Sequence, residues 1–554
     1  MLSNLDWAVL AGYFAVVFAV AFGVARRRAT RESAEGYFLS GRNSGWFIIG
    51  ASLFASNIGS EHLVGLAGTA AASGVAVGQF EILASLILLL LGWFFVPFYL
   101  RSGVFTMPEF LERRYSPAAR WYLAAVSIIA YVLTKISVTI FAGAIVFEAL
   151  MGVDFWTGAF IVVVATGIYT VFGGLRAVMY TELLQMFVMI GGAVAVTLIG
   201  LDRIGGWDSM VAEAGPGFMD MWKPLSDPDF PWTGILLGAP ILGVWYWCTD
   251  QFIVQRVLSA RNVDEARRGA IFGGFLKVLP LFNFVVPGVI AYVLAQRGEI
   301  VLTASDQALP VLIGTLLPAG LRGLVVAGLL AALMSSLSAV FNSCSTLITW
   351  DVYKKLRPDA HERQLVLVGQ VATLVMVGFG LLWIPMMKLI SGQLYQYLQS
   401  VQAYISPPIA AVFLLGVFWK RVNSSGAIAA LLSGFVLGMV RLVLELNRDS
   451  LGDGMLSWYA GINFLHFAIF LFVVCAAVLV SVSLATPPPA EEQVAGLTLQ
   501  TKWNWPLETP EALEIPDARE HLPVVQSETA WRRTDLWLSL VLAAIVGLIW
   551  LYFS

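Results

Sequence analysis

Long apolar runs alternate with short polar connections along almost the whole chain. Fourteen of these runs have at least about 17 residues, the length that an α-helix needs to cross a hydrocarbon layer about 30 Å thick. A chain surrounded by lipid must satisfy its backbone hydrogen bonds internally, so uninterrupted runs of this length predict helices. The pattern predicts an all-α integral membrane protein with about 14 transmembrane helices, at 5–25, 45–72, 76–100, 119–150, 156–172, 178–201, 233–252, 268–296, 321–347, 365–390, 394–418, 425–447, 459–482 and 534–553.

Composition supports this prediction. Of the 554 residues, 58% are hydrophobic and 12% are charged, and the charged share is about half of that in a soluble domain. No basic patch points to nucleic acid. Cys248, Cys344 and Cys475 fall inside predicted spans without metal-ligand spacing, so we expect small core residues. Arg26 to Arg28 follow the first run, the reverse of the order in a signal peptide, so this run is expected to remain a span.

The distribution of Lys and Arg predicts the orientation. If the first span enters from outside, the inner connections carry 24 of the 33 Lys and Arg residues and the outer connections carry 7. Positive charge is enriched on the cytoplasmic side of membrane proteins. Both termini are therefore expected outside.

One span is interrupted by small and polar residues, from Ala55 through Asn57 and Ser60 to Glu61 and His62. Non-helical backbone at membrane depth is tolerated where it lines a cavity or is buried in protein. A broken helix near the midplane predicts the binding site of a transporter. The alternative is a kink packed by small residues, with Glu61 and His62 facing a protein interior.

The order of the spans suggests a doubled unit. Spans two to six and seven to eleven form two sets of five, and an odd number places the second set in the membrane upside down. The first span of the second set also contains small residues and a proline, at Gly238, Pro240 and Gly243. A five-plus-five inverted-repeat core with a broken first helix in each repeat predicts a substrate site between the repeats.

These boundaries divide the chain into seven segments. They are an N-terminal helix and first inner loop (1–44), core repeat 1 (45–201), an outer loop (202–232), core repeat 2 (233–418), two additional helices (419–482), a cytoplasmic linker (483–533) and a C-terminal helix (534–554).

Polar side chains inside the spans indicate the chemistry of the substrate. The informative ones are Glu81, Lys135, Lys277, Gln399 and Gln402. Together they offer donors and acceptors without an excess of one charge, which suits a neutral solute with many hydroxyl groups. Buried ion pairs that only hold helices together remain the alternative for the three charged residues.

Two acidic residues, Glu182 and Asp250, lie near the predicted inner ends of spans, and we expect them to be solvated.

Adjacent hydroxyls at Ser335 and Ser336 lie within a hydrophobic span. With backbone carbonyls freed around Ala55 and Ile58, they would form a set of uncharged oxygen ligands, which suits a monovalent cation better than a divalent one. Serines in transmembrane helices also bond to their own helix or pack at interfaces, so this alternative stays open.

Four stretches carry a resemblance to a known family. They are Ala51 to His62, Trp245 to Arg256, Leu333 to Ser343, and Ser406 to Val422. Over essentially its whole length the chain resembles the sodium/solute symporter family, and within it the sodium/glucose cotransporter branch. This resemblance implies fourteen spans with a five-plus-five core and sodium-driven symport of a neutral hexose, glucose or galactose, across the plasma membrane.

The resemblance also implies residue roles. Tyr246 would be an aromatic inner gate beneath the sugar ring, with Trp247 nearby. Gln402, which would also contact the substrate, lies where the animal proteins carry threonine, and this leaves the preference among hexoses open. The sodium ligands would be Ala55, Ile58, Ala332, Ser335 and Ser336, and the sugar contacts would be Asn57, His62, Glu81, Lys277 and Gln399.

The chain departs from the family pattern at the second sodium site. The relevant positions are Glu182, Ser338 and Ala339, so one ligand is missing and we expect one sodium per sugar. Thr139 replaces an aspartate beside Lys135, which leaves the partner of this lysine open. Myo-inositol or another polyol as substrate, and a non-transporting sodium-dependent sensor, remain alternatives. Neither an enzymatic activity nor an obligatory protein partner is expected.

Overall fold

A computed structural model describes residues 2–25, 34–59, 61–387, 394–447, 450–452, 454–501 and 529–554. Apart from two isolated bridges, Ser44 with Ala260 and Lys223 with Pro231, the regular structure in these ranges is helical. The α-helices are α1 Asn4–Ala25, α2 Ala34–Phe38, α3 Trp46–Asn57, α4 Ala67–Ser73, α5 Gln79–Leu90, α6 Val96–Ser102, α7 Met107–Arg114, α8 Pro117–Ala130, α9 Ser137–Val146, α10 Phe155–Ile204, α11 Trp207–Ala214, α12 Pro216–Met219, α13 Ala239–Gly243, α14 Gln251–Leu258, α15 Val263–Leu276, α16 Val286–Gln296, α17 Ala308–Leu316, α18 Leu321–Thr346, α19 Lys354–Leu356, α20 Glu362–Met387, α21 Leu394–Phe418, α22 Ser424–Leu446, α23 Met455–Gly461, α24 Phe464–Ala485, α25 Glu491–Val494 and α26 Thr529–Tyr552.

Many of the spans also contain π-helical turns, which widen the helix locally and occur often at functional sites. They are Glu61–Leu66, Leu91–Phe95, Tyr131–Ile136, Phe147–Met151, Gly234–Gly238, Val244–Thr249, Leu281–Val285 and Leu347–Tyr353. Short 3₁₀ segments occupy Ser40–Arg42, Val75–Gly78 and Ser305–Gln307.

Eleven helices of the described residues are long and apolar enough to cross a membrane. The other three predicted spans coincide with the shorter apolar helices Trp46–Asn57, Trp156–Ile168 and Gly234–Thr249. The all-α membrane fold is confirmed, whereas the number fourteen stays a prediction. The predicted spans 156–172 and 178–201 lie in one continuous helix, α10, of 50 residues. A straight helix of that length would measure about 75 Å, more than twice the thickness of the hydrocarbon layer.

The predicted break in the first repeat is present. Helix α3 ends at Asn57, and Ile58 has the extended conformation (φ −73°, ψ 90°) before a π-helical turn begins at Glu61. Ser60 lies outside the described residues, as does the side chain of Glu61.

The predicted break in the second repeat was misplaced. Gly238, Pro240 and Gly243 lie in continuous helical turns from Gly234 to Thr249. The chain leaves the helix at Asp250, which is extended (φ −77°, ψ 126°). The second broken span therefore has its hinge closer to its C-terminal end, which is the predicted inner end.

The first span of each repeat packs against the second span of the other repeat, as a two-fold axis between the repeats requires. Helix α3, the first span of repeat 1, packs against α15, the second span of repeat 2. Conversely, α13 in the first span of repeat 2 packs against α5 in the second span of repeat 1. Helix α18 contacts both α3 and α10. The two breaks are thus brought into the centre of the helical bundle.

Segments predicted on one side of the membrane contact one another. The backbone N–H of Met221 donates to the carbonyl of Phe553 at 2.9 Å, which joins the 202–232 segment to the end of α26. On the opposite side Lys355 pairs with Glu112. Which side faces the cytoplasm stays a prediction. Arg26 to Arg28, Lys388, Arg448 and residues 502–528 of the linker lie outside the described residues.

Replacing Asp6 should destabilise the attachment of α1. Its fully buried carboxylate accepts hydrogen bonds from the backbone N–H groups of Gly320 (2.7 Å) and Gly323 (2.8 Å) at the start of α18, and pairs with Arg322 at 2.8 Å. Removing one partner of a buried ion pair costs about 3 kcal/mol or more. We expect Asp6→Ala to lower the melting temperature in detergent by several degrees.

The control for this experiment is Asp208→Ala, because Asp208 is an exposed aspartate in the first turn of α11. An exposed substitution of this kind changes stability by about 0.5 kcal/mol at most. Equal melting temperatures for Asp6→Ala and Asp208→Ala would contradict the anchoring role of Asp6.

Candidate functional site

A pocket of about 60 Å³ lies between the two broken spans. This volume holds only a few water molecules, so the walls must move apart before a sugar fits. Seven of the eight side chains predicted to contact substrate line it, namely Asn57, His62, Glu81, Tyr246, Trp247, Gln399 and Gln402. The eighth, Lys277, lies behind the wall and hydrogen-bonds to two of them. The structure thus brings together residues that are up to 345 positions apart in the chain.

Charged groups in the cavity wall balance one another. The Glu81 carboxylate accepts hydrogen bonds from the Lys277 ammonium and from His62 Nε2, the latter at 3.0 Å. Lys277 also donates to Asn57 Oδ1. All four side chains are at least 95% buried. Because a buried charge is costly unless it is paired, this network keeps the wall polar without a net charge.

His62 presents one ring nitrogen that the network does not use. Its Nε2 atom meets the Glu81 carboxylate, so Nε2 carries the proton when the ring is neutral. Its Nδ1 atom is buried and has no hydrogen-bond partner in the part of the chain that the structure describes. A buried acceptor of this kind is normally satisfied, so Nδ1 is suited to accept a hydrogen bond from a hydroxyl group of a bound solute.

Two pairs of aromatic rings line the cavity. Tyr246 and Trp247 pack edge to face with ring centroids 5.1 Å apart, and Asn57 Nδ2 donates to the Tyr246 hydroxyl at 2.9 Å. Phe80 and Tyr395 form the second pair and pack edge to face with ring centroids 5.9 Å apart. Sequence reasoning missed this second pair, because aromatic residues are common in apolar spans and only the cavity distinguishes these two.

Lys135 and Asp250 form an ion pair next to the ring of Tyr246, which lines the cavity. Lys135 Nζ lies 3.3 Å from Asp250 Oδ2, and the Tyr131 hydroxyl donates to Asp250 Oδ1. The expectation that Asp250 would be solvated was wrong, since it is only 4% exposed. The sequence left the ion-pair partner of Lys135 open, and the structure shows that Asp250, 115 positions further along the chain, pairs with it.

Oxygen atoms also converge between α3 and α18. Because α3 ends at Asn57, the carbonyls of its last turn lack the usual intrahelical partners. Ser335 Oγ donates to the carbonyl of Ala55 at 3.2 Å, and Ser336 Oγ donates to that of Ser56 at 3.1 Å. A helix C-terminus carries partial negative charge and attracts cations.

Among the predicted sodium ligands, these contacts bring together Ala55, Ser335 and Ser336. The other two, Ile58 and Ala332, are also buried, each one helical turn along the chain from one of these residues. The Ser56 carbonyl is an oxygen that the sequence did not single out.

Glu182 lies beside this group of oxygens. Its carboxylate pairs with Arg256 at 2.8 Å and accepts hydrogen bonds from Ser52 and, at 3.4 Å, from Ser335. The side chain is completely buried, so the expectation of a solvated role was wrong. Arg256 neutralises the charge of Glu182. The hydroxyls of Ser335 and Ser336 and the backbone carbonyls that they contact are therefore the oxygens available to bind a cation.

Comparison with known proteins identifies the family. The family model described as the sodium:solute symporter family matches residues 37–434. This chain belongs to that family. The symporter is 39% identical to sodium/glucose cotransporter 4 of Danio rerio, over 96% of this chain and 88% of that protein. It is 40% identical to the sodium/myo-inositol cotransporter of Homo sapiens, over 91% of this chain and 76% of that protein.

A solved structure supports the fold of the symporter. The substrate-bound, outward-open state of a Na⁺-coupled sialic acid symporter aligns with a TM-score of 0.74 at 23% identity, covering 88% of this chain and 99% of that one. The predicted family and fold class are therefore confirmed, and the prediction of a transporter rather than an enzyme follows from family membership.

Proposed function

We propose that the protein carries a neutral hexose, glucose or galactose, across the plasma membrane together with sodium. The observation that carries this proposal is the charge-balanced polar wall of the cavity, in which His62 Nδ1 is left as a buried acceptor. The names of the similar proteins, sodium/glucose and sodium/myo-inositol cotransporters, agree with a polyhydroxylated neutral substrate.

The wall matches the chemistry of a sugar. Glu81 and His62 offer acceptors for hydroxyl protons, whereas the amides of Gln399, Gln402 and Asn57 offer both donors and acceptors. Because the Glu81 charge is balanced by Lys277, a solute with a carboxylate would gain no counter-charge here. The hydroxyl groups of a sugar would instead exchange hydrogen bonds with water for hydrogen bonds with the wall.

Sodium drives the cycle through the group of oxygens at Ala55, Ser56, Ser335 and Ser336. An ion there would be held by both α3 and α18, which fixes the half-helix that also carries Asn57. Sugar then binds, the outer side closes and the repeats rock to open the inner path. One sodium ion moving through 100 mV releases about 2.3 kcal/mol, which corresponds to about 50-fold accumulation of a neutral solute.

Uptake into liposomes tests this function. Purified protein in a lipid bilayer should suffice, since the proposal involves neither nucleic acid nor an obligatory protein partner. We expect labelled glucose or galactose to accumulate about 50-fold under equal sodium concentrations and an inside-negative potential of about 100 mV, for one sodium per sugar. A potassium-only buffer is the control.

Two outcomes would change the proposal. Accumulation of the order of 2,000-fold, or a current-to-sugar ratio near two, would require two charges per cycle and contradict the single sodium site. Uptake of neither hexose would overturn the hexose assignment, and accumulation of labelled myo-inositol in its place would identify the polyol alternative. Sodium-dependent protection from heat without uptake of any of these solutes would favour a sensor.

A further inference from the structure

Helix α26 packs against two helices of the core, α5 and α15. Near the C-terminal end of α26, Trp550 Nε1 donates to Gln79 Oε1 at 2.7 Å. Closer to its N-terminal end, Ser539 Oγ accepts a hydrogen bond from Trp93 Nε1 at 2.9 Å. These two contacts show that α26 runs antiparallel to the span that contains α5 and α6, and they fix the register of the two spans.

This register brings two arginines together. Arg101 is eight residues beyond Trp93, and Arg532 is seven residues before Ser539, so each lies about 10 to 12 Å from that contact in the same direction. The two guanidinium groups are close enough for their charges to repel each other. Within the described part of the chain, neither arginine forms a salt bridge, and the neighbouring Arg533 forms none either.

The carboxylate nearest to them in sequence is already paired. Asp535 in α26 is fully buried, and its oxygens lie 2.7 Å from Arg267 and 3.2 Å from Arg268, both in α15. A buried carboxylate held in this way attaches α26 to α15 and is not available to other cations. Arg101 and Arg532 therefore need an anion from outside the described chain to balance their charges.

Exposed apolar side chains continue from these arginines along both spans. Phe94 is 42% exposed and lies seven residues, about two helical turns, before Arg101, so both are on one face of their span. On α26, Leu536 is 52% exposed and lies one turn after Arg532, and the adjacent Trp537 is 69% exposed. Tryptophan is enriched where a membrane meets water. Positive charge thus lies at one end of an apolar surface, as a phospholipid requires.

We propose that Arg101 and Arg532 bind the phosphate group of an anionic phospholipid whose acyl chain lies over Phe94 and Leu536. Guanidinium groups bind phosphate through paired, charge-assisted hydrogen bonds. Basic pockets between transmembrane helices are suited to acidic lipid head groups. A phosphate between the two arginines replaces their repulsion by attraction to one anion. The bound lipid therefore joins α6 to the N-terminal end of α26, whichever solute the protein transports.

Lipid binding to the full chain in detergent tests this site. Native mass spectrometry measures retention of phosphatidylglycerol and of phosphatidylcholine with the same acyl chains. We expect the parental protein to bind phosphatidylglycerol at least about tenfold more tightly. Arg101→Gln and Arg532→Gln should each weaken this binding about fivefold, which corresponds to about 1 kcal/mol per arginine. The double variant should weaken it about 25-fold, and binding of phosphatidylcholine should stay unchanged.

A matched control is Arg357→Gln. Arg357 is an exposed arginine between α19 and α20, on the same predicted side of the membrane, and it too has no salt bridge within the described residues. Its replacement removes the same charge and should leave phosphatidylglycerol binding unchanged. Because Arg532 is exposed, Arg532→Gln should fold normally and tests the site even if Arg101→Gln does not fold.

Four outcomes would overturn the lipid site. The first two are unchanged phosphatidylglycerol binding in Arg532→Gln and an equal loss in Arg357→Gln. The third is binding of water-soluble glycerol 3-phosphate as tightly as phosphatidylglycerol, which would indicate a phosphate site without a lipid. The fourth is binding of phosphatidylglycerol only after the six acidic residues between positions 502 and 528 are replaced by Gln, which would assign the arginines to that segment.

Discussion

Lys277→Met is expected to reduce sodium-driven sugar uptake at least about 100-fold at subsaturating sugar. Lys277 compensates the Glu81 carboxylate and donates to Asn57, and it is 1% exposed. Without the ammonium group, Glu81 would either take up a proton or attract water into the cavity, and its hydrogen bond to a sugar hydroxyl would weaken. Uptake of labelled hexose into liposomes, corrected for the amount of reconstituted protein, measures the loss.

A double variant distinguishes a binding role from a structural role of this pair. Replacing both partners of a buried pair by neutral groups restores much of the stability lost in either single variant. We therefore expect Glu81→Gln with Lys277→Met to melt closer to the parental protein than Lys277→Met does, while uptake remains low. Recovery of uptake in the double variant would mean that the pair only holds α5 and α15 together. Lys355→Met is the control, because Lys355 is a partly exposed lysine outside the cavity.

The first broken span could be predicted because its sequence is unusual for its depth. From Ala55 to His62 polar and small residues replace the apolar pattern, and the helix ends at Asn57. In the second span glycines gave a false signal. A Cβ atom at Gly238 would collide with the backbone of Leu465, so this glycine permits close helix packing. The real hinge, Asp250 followed by the start of α14, has the sequence signal of a helix cap.

The environment of the acidic residues could not be predicted from local sequence. Glu182 and Asp250 are near the predicted inner ends of spans, where contact with water is the better default expectation. Their partners, Arg256 and Lys135, are 74 and 115 positions away. Only the packing of the repeats brings each pair together. In contrast, most of the cavity residues were predictable, because a polar side chain in an apolar span must face the protein interior to be stable.

Ser335→Ala is expected to raise the sodium concentration for half-maximal uptake at least about tenfold. Ser335 Oγ lies 3.2 Å from the carbonyl of Ala55, at the end of α3, so the two oxygens can contact one ion. Losing one ligand also loses a link between α3 and α18, which weakens the coupling of sodium to the half-helix that carries Asn57. Initial uptake rates across a series of sodium concentrations measure this shift.

Ser338→Ala is the matched control, and it also tests the number of sodium ions. Ser338 lies on the same helix, but its Oγ donates to the carbonyl of Ser335, three residues back, at 2.9 Å. A serine that bonds to its own helix is not available as a ligand without breaking that bond. With one sodium site, Ser338→Ala should leave the half-maximal sodium concentration within about a factor of three, a difference below 0.7 kcal/mol. Equal losses in Ser335→Ala and Ser338→Ala would indicate a second ion on this helix, and the charge-to-sugar ratio of the parental protein would then have to be near two.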